Sequence, residues 1–265
     1  MKICFSTLGC PEWKLTEIAS TAADLKYDGI EIRGIGKDVF APDSPFFSED
    51  KIEASASALK SAGVDVLCLD TTCVLSSPSL WSEEAILKTC KLAAALSCPY
   101  VRVLGDAQPE PSDVYDTVVI AALKKACEIA SSFGVTVIIE TNGVYSFSER
   151  LVGVIKAVNA DNLGVLWDIQ HPYRVAGEKI EDTFNAIKDY LCHVHIKDSV
   201  LKDGKTVYKM TGYGDMPIKT ALDILKDANF EGAVSLEWLK RWVSELEDAG
   251  IVFAHFIKTV KRFLA

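Results

Sequence analysis

Eight short runs of β-branched and other apolar residues alternate with longer stretches of helical periodicity. Of all the features of the sequence, this alternation limits the possible folds most strongly. The runs are Lys2–Thr7, Gly29–Arg33, Asp65–Leu69, Tyr100–Leu104, Val135–Glu140, Leu163–Asp168, Cys192–Lys197 and Ala233–Glu237. Consecutive parallel strands need a crossover, usually a helix, so this pattern is typical of a parallel sheet covered by helices. Repetition of the unit through the whole chain predicts a (β/α)8 barrel, the TIM barrel.

The stretches between the runs show the i, i+3, i+4 spacing of half-buried helices, as in Leu15, Ile18 and Ala22. The predicted helices are Leu15–Lys26, Glu49–Ala62, Ser82–Ser97, Asp113–Phe133, Phe147–Val158, Ile180–Tyr190, Pro217–Ala228 and Leu246–Leu264. A doubly wound open sheet is the alternative, but it usually carries a glycine-rich phosphate loop after its first strand. Here that strand continues into LGCPEWKL. With no composition break, one barrel domain over residues 1–265 is expected.

Composition and charge narrow the class of protein. A hydrophobic content of 49% is enough for one large core, and 28 Lys and Arg against 37 Asp and Glu give a net charge of −9. Such a chain repels a phosphate backbone, so a nucleic-acid partner is not expected. The eight cysteines form no C-x-x-C pair, and no segment has the apolar length of a membrane span or a secretion signal. We therefore expect a cytoplasmic protein without a membrane partner.

Four consecutive predicted strands end in residue types that bind metals: Glu140, Asp168, His195 and Glu237. Active sites of such barrels lie where the strands end at the carboxyl face, so these side chains should converge. Each carboxylate alone could instead cap a helix or lie in a loop. Three converging carboxylates without a cation would repel one another strongly. The set therefore predicts one divalent metal ion, and mixed carboxylate and imidazole ligands suit manganese, zinc, cobalt or iron better than calcium.

Two of the four histidines lie two residues apart in the sequence CHVHIKD. Alternate residues of a strand share a face, so His193, His195 and Lys197 should point the same way. The inward positions below the four strand ends are mostly apolar or small, among them Ile138, Leu166 and Leu191. A pair of hydrogen-bonded core histidines is the alternative interpretation. His195 lies nearer the strand end, whereas His193 should be a core residue or support a ligand from below.

The chain also resembles the xylose-isomerase-like barrel family of sugar-phosphate isomerases and epimerases over essentially its whole length. The resemblance is carried by VIIETN, LWDIQH, HVHIKD and GYGDMPIKTALDILKDANFEGAVSLEW. It implies that Glu140, Asp168, His195 and Glu237 bind one divalent metal. It also implies that Glu140 and Glu237 exchange a substrate proton, and that His171 of the D-x-x-H motif contacts substrate or a further metal.

Six residues are candidate substrate contacts, each with a structural alternative. They are His171, Lys197, Arg102, Glu31, Arg33 and Trp13. Lys197 could hold a substrate oxygen or stabilise developing negative charge, or it could be a solvated cation. Arg102, Glu31 and Arg33 could instead form salt bridges at the barrel mouth, and Trp13 could pack in the core.

The resemblance implies an isomerase or epimerase that moves a proton on a sugar, sugar phosphate or cyclitol ketone through an enediolate. A dehydratase of the inosose or 3-dehydroshikimate type is the alternative, because the same enolate can expel a β-hydroxyl.

A DNA-repair enzyme like endonuclease IV is disfavoured, because the additional histidines that its metals need are absent from VLCLDTTC, VRVLGD and GYGDMP. A catalytically silent sugar-binding barrel is a further alternative. Homo-oligomers are common in the family.

The sequence does not match every feature of the family's subgroups. Keto-sugar 3-epimerases typically continue the seventh strand with a glycine-glutamate pair and a downstream arginine, whereas this chain has Ile196, Lys197 and Asp198. The resemblance therefore implies the type of chemistry without naming one substrate.

Overall fold

The computed structural model describes all 265 residues and forms a closed barrel of eight parallel strands. The barrel strands are β1 (Lys2–Ser6), β2 (Gly29–Ile32), β3 (Asp65–Val74), β4 (Tyr100–Leu104), β5 (Thr136–Glu140), β6 (Leu163–Asp168), β7 (Leu191–Ile196) and β10 (Ala233–Leu236). Each strand pairs with its neighbours in chain order, and β10 closes the barrel on β1. The predicted (β/α)8 fold and its single domain are confirmed.

Eight α-helices connect the strands, as the sequence predicts. They are α1 (Leu15–Leu25), α2 (Ile52–Ser61), α3 (Glu83–Ala95), α4 (Asp116–Ser131), α5 (Ser148–Val158), α6 (Ile180–Ile187), α7 (Ile218–Asp227) and α8 (Ala249–Leu264). Their apolar faces, such as Leu15, Ile18 and Ala22 of α1, pack against outward-facing strand residues in a core of 64 buried residues. None of the helices combines the length and apolar character that a membrane crossing requires.

The barrel interior contains a second, smaller apolar cluster, and its composition corrects one sequence expectation. Cys68, Ile138 and Leu166 pack together there, and Cys192 lies against them. Between β6 and β7 the register shifts, so that Leu191 pairs with Val165 whereas His193 pairs with Leu166. The extra residue, Cys192, turns inward, and Leu191 packs in the outer core. The expectation of an inward Leu191 is therefore wrong, because this bulge interrupts the alternation of the strand.

A two-stranded hairpin that the sequence analysis did not predict follows β7. Its strands, β8 (Asp198–Lys202) and β9 (Lys205–Lys209), pair antiparallel, and the turn residues Asp203 and Gly204 have φ of 51° and 74°. Asp198, only 2% exposed, holds the base of this hairpin. Its carboxylate accepts hydrogen bonds at 2.7 to 3.2 Å from the backbone N–H groups of Ser199, Gly212, Gly214 and Met216.

We expect Asp198→Ala to destabilise the protein by about 2–4 kcal/mol, because several partly buried N–H donors lose their acceptor. Hydrogen exchange should accelerate mainly between residues 198 and 216, where those donors lie. Asp198→Asn keeps one carbonyl acceptor and should give an intermediate effect. Chemical denaturation with residue-resolved exchange measures both, and unchanged stability with unchanged exchange in the alanine variant contradicts this role.

Candidate metal centre and active site

The structure brings the four predicted metal ligands together at the carboxyl end of the barrel. Glu140 ends β5, Asp168 ends β6, His195 lies in β7, and Glu237 directly follows β10. One ligand atom from each residue lies within 4.8 Å of the corresponding atoms of the other three. All four side chains are buried, and Asp168 pairs in register with His195 on the next strand. The cluster therefore follows from the convergence of parallel strand ends.

The three carboxylates of the cluster have different ionisation behaviour. Burial raises the pKa of Glu140 to about 7 despite its neighbouring cation. Burial would also raise the pKa of Asp168, but His171 and Lys197 more than offset it and lower that pKa to about 2. For Glu237 the burial effect is again outweighed, chiefly by Lys197, and its pKa lies below the usual range. The two glutamates thus differ in proton affinity although they share one site.

Lys197 directly follows β7, and its ammonium group lies inside the carboxylate cluster. Its Nζ contacts Asp168 Oδ2 and donates a 2.5 Å hydrogen bond to Glu237 Oε2. Burial would lower the pKa of Lys197, but Asp168 and Glu237 hold it well above its ordinary value. With a side chain only 4% exposed, Lys197 is an internal counter-ion and not a solvated surface cation.

His195 supplies a second positive charge to the cluster. Burial would lower the pKa of His195, but Glu31 and Glu237 outweigh it and raise that pKa to about 10. Nε2 lies 2.8 Å from Glu31 Oε2, whereas Nδ1 lies 3.6 Å from Glu237 Oε1 and makes no hydrogen bond. An unpartnered imidazole nitrogen beside three carboxylates is a donor set that fits manganese, zinc, cobalt or iron.

His171 lies at the edge of the cluster, in the segment after β6. Its Nδ1 is 3.0 Å from the Thr141 carbonyl oxygen, and its Nε2 is 3.9 Å from Asp168 Oδ2. Since a carbonyl can only accept, Nδ1 carries the hydrogen in this pair. Burial lowers the pKa of His171, which favours the neutral ring. Its Nε2 is then free to accept a hydrogen bond.

Arg102 lies within the barrel mouth and forms salt bridges there. The sequence analysis gave such salt bridges as the alternative to a substrate contact. Its guanidinium is 3.3 Å from both Asp70 Oδ2 and Glu140 Oε2, and the residue is only 4% exposed. It also lines the cavity above the cluster. The position is therefore compatible with both a structural role and the predicted substrate contact.

The positions of Glu31 and Trp13 do not support the substrate contacts predicted for them. Glu31 of β2 is fully buried, and its carboxylate contacts His193 and His195 from inside the barrel. Trp13 packs edge-on against Phe253 with ring centroids 5.7 Å apart, outside the cavity that adjoins the cluster. These contacts correspond to the structural alternatives stated for the two residues, salt bridging for Glu31 and core packing for Trp13.

A cavity of about 540 Å³ opens at the carboxyl face, and Glu140, His171, Lys197 and Glu237 all line it. Its volume suits a small molecule. Its walls also include Arg33, a candidate substrate contact from the sequence, and three residues that the sequence analysis did not select: Asn142, Tyr208 and Trp242. Tyr208 belongs to the hairpin, and the Asp-Gly turn between alternating residues is the sequence signal that could have located it.

Residues 19–256 match the family model described as the xylose isomerase-like TIM barrel. The chain belongs to this family. Among curated relatives, the fructoselysine 3-epimerase of Escherichia coli O157:H7 is 24% identical over 259 residues, which is 92% of this chain and 93% of that protein. This epimerase and the inosose isomerase of Halalkalibacterium halodurans, 28% identical over 163 residues that cover 55% of each chain, are enzymes, and the chain is an enzyme of this family.

Solved structures share the fold at lower identity. The probable 3-DHS dehydratase AsbF of Bacillus anthracis has a TM-score of 0.81 at 17% identity, covering 98% of this chain and 99% of its own. The IOLI protein, whose structure contains a bound zinc atom, has a TM-score of 0.80 at 19% identity, covering 100% of this chain and 98% of its own. At these identities the similarity establishes the fold.

We expect binding of a divalent metal at pH 8 to release about one proton, because His195 must lose a proton before a ring nitrogen can act as a ligand. The raised pKa of His195, about 10, means that the ring is charged at pH 8 in the metal-free protein. Metal affinity should therefore rise with pH up to about pH 10. Calorimetric titration with zinc in buffers of different ionisation enthalpy measures the proton count.

A matched control for this titration is His255→Gln, because His255 lies in α8 and its Nε2 contacts the Thr211 carbonyl oxygen away from the cluster. This variant should release the same proton, whereas His195→Ala should bind zinc weakly. A binding enthalpy that is independent of the buffer contradicts the prediction.

Proposed function

We propose that this enzyme is a divalent-metal-dependent isomerase or epimerase for a sugar, sugar phosphate or cyclitol ketone. The observation that carries the proposal is the buried cluster of Glu140, Asp168, His195 and Glu237, whose ligand atoms lie within 4.8 Å of one another beside an open cavity. The epimerase activity of the fructoselysine relative supports the same reaction type. The ligands we assign are these four side chains, with manganese, zinc, cobalt or iron as the metal.

The reaction starts with removal of a proton from a carbon next to a carbonyl group, and the resulting enediolate needs positive charge on its oxygens. A bound divalent metal would supply that charge as a Lewis acid. The protein supplies the proton transfer and the orientation of the substrate. His171 Nε2, at the cavity wall, can accept a hydrogen bond from a substrate hydroxyl.

Glu140 and Glu237 are proposed as the acid and base as well as metal ligands. They lie on strands separated by β6 and β7 and face the same cavity from different sides. Their pKa values shift in opposite directions, upward for Glu140 and downward for Glu237. Opposite shifts of two nearby carboxyls suit a pair in which one donates a proton while the other accepts it.

We expect Glu140→Gln and Glu237→Gln to lower turnover by about 10²–10⁴-fold, because an amide cannot exchange the substrate proton. Solvent-deuterium incorporation into ketoses, inososes and their phosphates, measured with manganese, cobalt and zinc, identifies the substrate and then quantifies this loss. Glu128→Gln, which changes an exposed carboxylate of α4, is the control and should be unaffected. Full turnover in metal-loaded Glu140 or Glu237 variants contradicts the assignment.

Lys197 is proposed to hold a substrate oxygen beside the metal site. Its ammonium contacts Asp168 and Glu237, two of the four proposed ligands. An ammonium and a metal ion cannot share the same carboxylate oxygens without strong repulsion. With a metal held by those carboxylates, the ammonium would compete for them, and the cavity that Lys197 lines would offer its charge to the substrate.

We expect Lys197→Met to strengthen zinc binding, because the competing ammonium is removed, while turnover falls by about 10-fold or more because a charge on the substrate side is lost. Calorimetry measures the first effect and deuterium incorporation the second. Lys219→Met, in the exposed first turn of α7, should change neither. If Lys197→Met binds zinc more weakly and turns over normally, Lys197 neither competes with the metal nor holds the substrate.

A dehydratase is the second candidate function, and Lys197 is the observation that favours it. The chain has this cation where keto-sugar 3-epimerases typically have a glycine-glutamate pair, and an ammonium can stabilise a departing hydroxyl group. The structural similarity to the AsbF dehydratase agrees with this chemistry. The product mass in the deuterium experiment separates the two functions, since loss of water identifies a lyase.

A further inference from the structure

Glu31 contacts two histidines, and the four proposed metal ligands alone do not explain these contacts. It lies in β2, which is separated from β7 by β1 and β10, so that it reaches the two histidines across the barrel interior. The same oxygen, Oε2, lies 2.7 Å from His193 Nε2 and 2.8 Å from His195 Nε2. All three side chains are fully buried.

The arrangement fixes where the ring hydrogens are. A single carboxylate oxygen lying 2.7 and 2.8 Å from two imidazole nitrogens has the geometry of one acceptor shared by two N–H donors. A carboxylate in that position accepts both hydrogen bonds, so each histidine donates from Nε2. The ring of His195 must be neutral to bind a metal, and a neutral imidazole has one N–H group while its other nitrogen carries the lone pair. For His195 that other nitrogen is Nδ1, on the side of Glu237 Oε1 at 3.6 Å.

We infer that Glu31 is a positioning residue: by accepting the Nε2 hydrogen of His195, it presents the Nδ1 lone pair of that ring to the metal centre. This inference rests on the metal site of the proposed function and adds a residue that lies outside the ligand set. A carboxylate behind a histidine ligand also makes the ring a stronger electron donor. Glu31 therefore acts on affinity for the metal without touching substrate or metal.

His193 has a related task, which explains the spacing of the two histidines. Its Nε2–H donates to the same oxygen of Glu31, and its ring meets His195 edge-on with centroids 5.7 Å apart. Two donors on one oxygen hold the carboxylate in one rotamer. Alternate positions of one strand place both rings on the inner face, His193 one level below His195. His193 thus anchors the group that orients the ligand.

The direct test is nitrogen-15 NMR of the histidine side chains in zinc-loaded wild-type protein. We expect the His195 signals to show a proton on Nε2 and zinc on Nδ1, with His193 also protonated on Nε2. Zinc bound through Nε2 of His195, with the proton on Nδ1, overturns the inference. The wild-type measurement does not depend on any variant folding correctly.

Variants then measure what Glu31 contributes. We expect zinc affinity to fall about 10-fold in Glu31→Gln, which keeps an acceptor without the charge, and about 100-fold in Glu31→Leu, which has no acceptor. Asp106→Asn is the matched control, because Asp106 is another buried carboxylate but accepts hydrogen bonds from the backbone N–H groups of Ser112 and Val144 instead of the histidines. Affinity unchanged in both Glu31 variants, with folding verified by circular dichroism, also overturns the inference.

These outcomes separate the two proposals. Wild-type protein that binds no divalent metal in calorimetry refutes the proposed metal site, and the role of Glu31 with it. Wild-type protein that binds zinc normally, but through Nε2 or independently of Glu31, refutes only the positioning role. Zinc on Nδ1 together with graded losses in the two variants supports both.

Discussion

Three buried carboxylates confined at the carboxyl end of the barrel are the constraint on which the rest of this site depends. Their mutual repulsion in a low-dielectric region must be offset by positive charge. The charged ring of His195 and the ammonium of Lys197 supply it in the structure. One divalent ion would carry the same two charges in a single atom. The proposed metal binding would therefore exchange these two charges for those of the ion.

The closed barrel makes this concentration of charge possible. Parallel strands all end at the same face, so residues far apart in the chain converge there without any dedicated loop. Below the ligands, the interior is filled by the apolar side chains of Cys68, Ile138 and Leu166. The pairing of Asp168 with His195, and of Leu166 with His193 one level lower, places polar and apolar residues at defined depths. The fold supplies both the convergence of the carboxylates and the burial that raises the pKa of Glu140.

The sequence was sufficient to predict every barrel strand, the eight helices and the convergence of Glu140, Asp168, His195 and Glu237. These features follow from local periodicity and from the position of a residue at the end of a strand, both of which a sequence displays directly. It did not predict the inward turn of Cys192, because a bulge leaves the residue pattern unchanged while it reverses the faces. The hairpin after β7 was missed although its Asp-Gly turn is a recognisable signal.

Glu31 shows most clearly why the remaining part of the site needed three-dimensional information. In the sequence Glu31 stands near the end of a strand, like the proposed ligands. It was therefore a candidate substrate contact, with a salt bridge at the barrel mouth as the alternative. Its actual surroundings are set by β7, which is the next strand but two around the barrel and more than 160 residues away in the chain. A proposed metal ligand can be recognised from the residue type at the end of a single strand. A residue that orients a ligand, such as Glu31, is recognised only from its distance to that ligand across the barrel, and only the closed structure defines that distance.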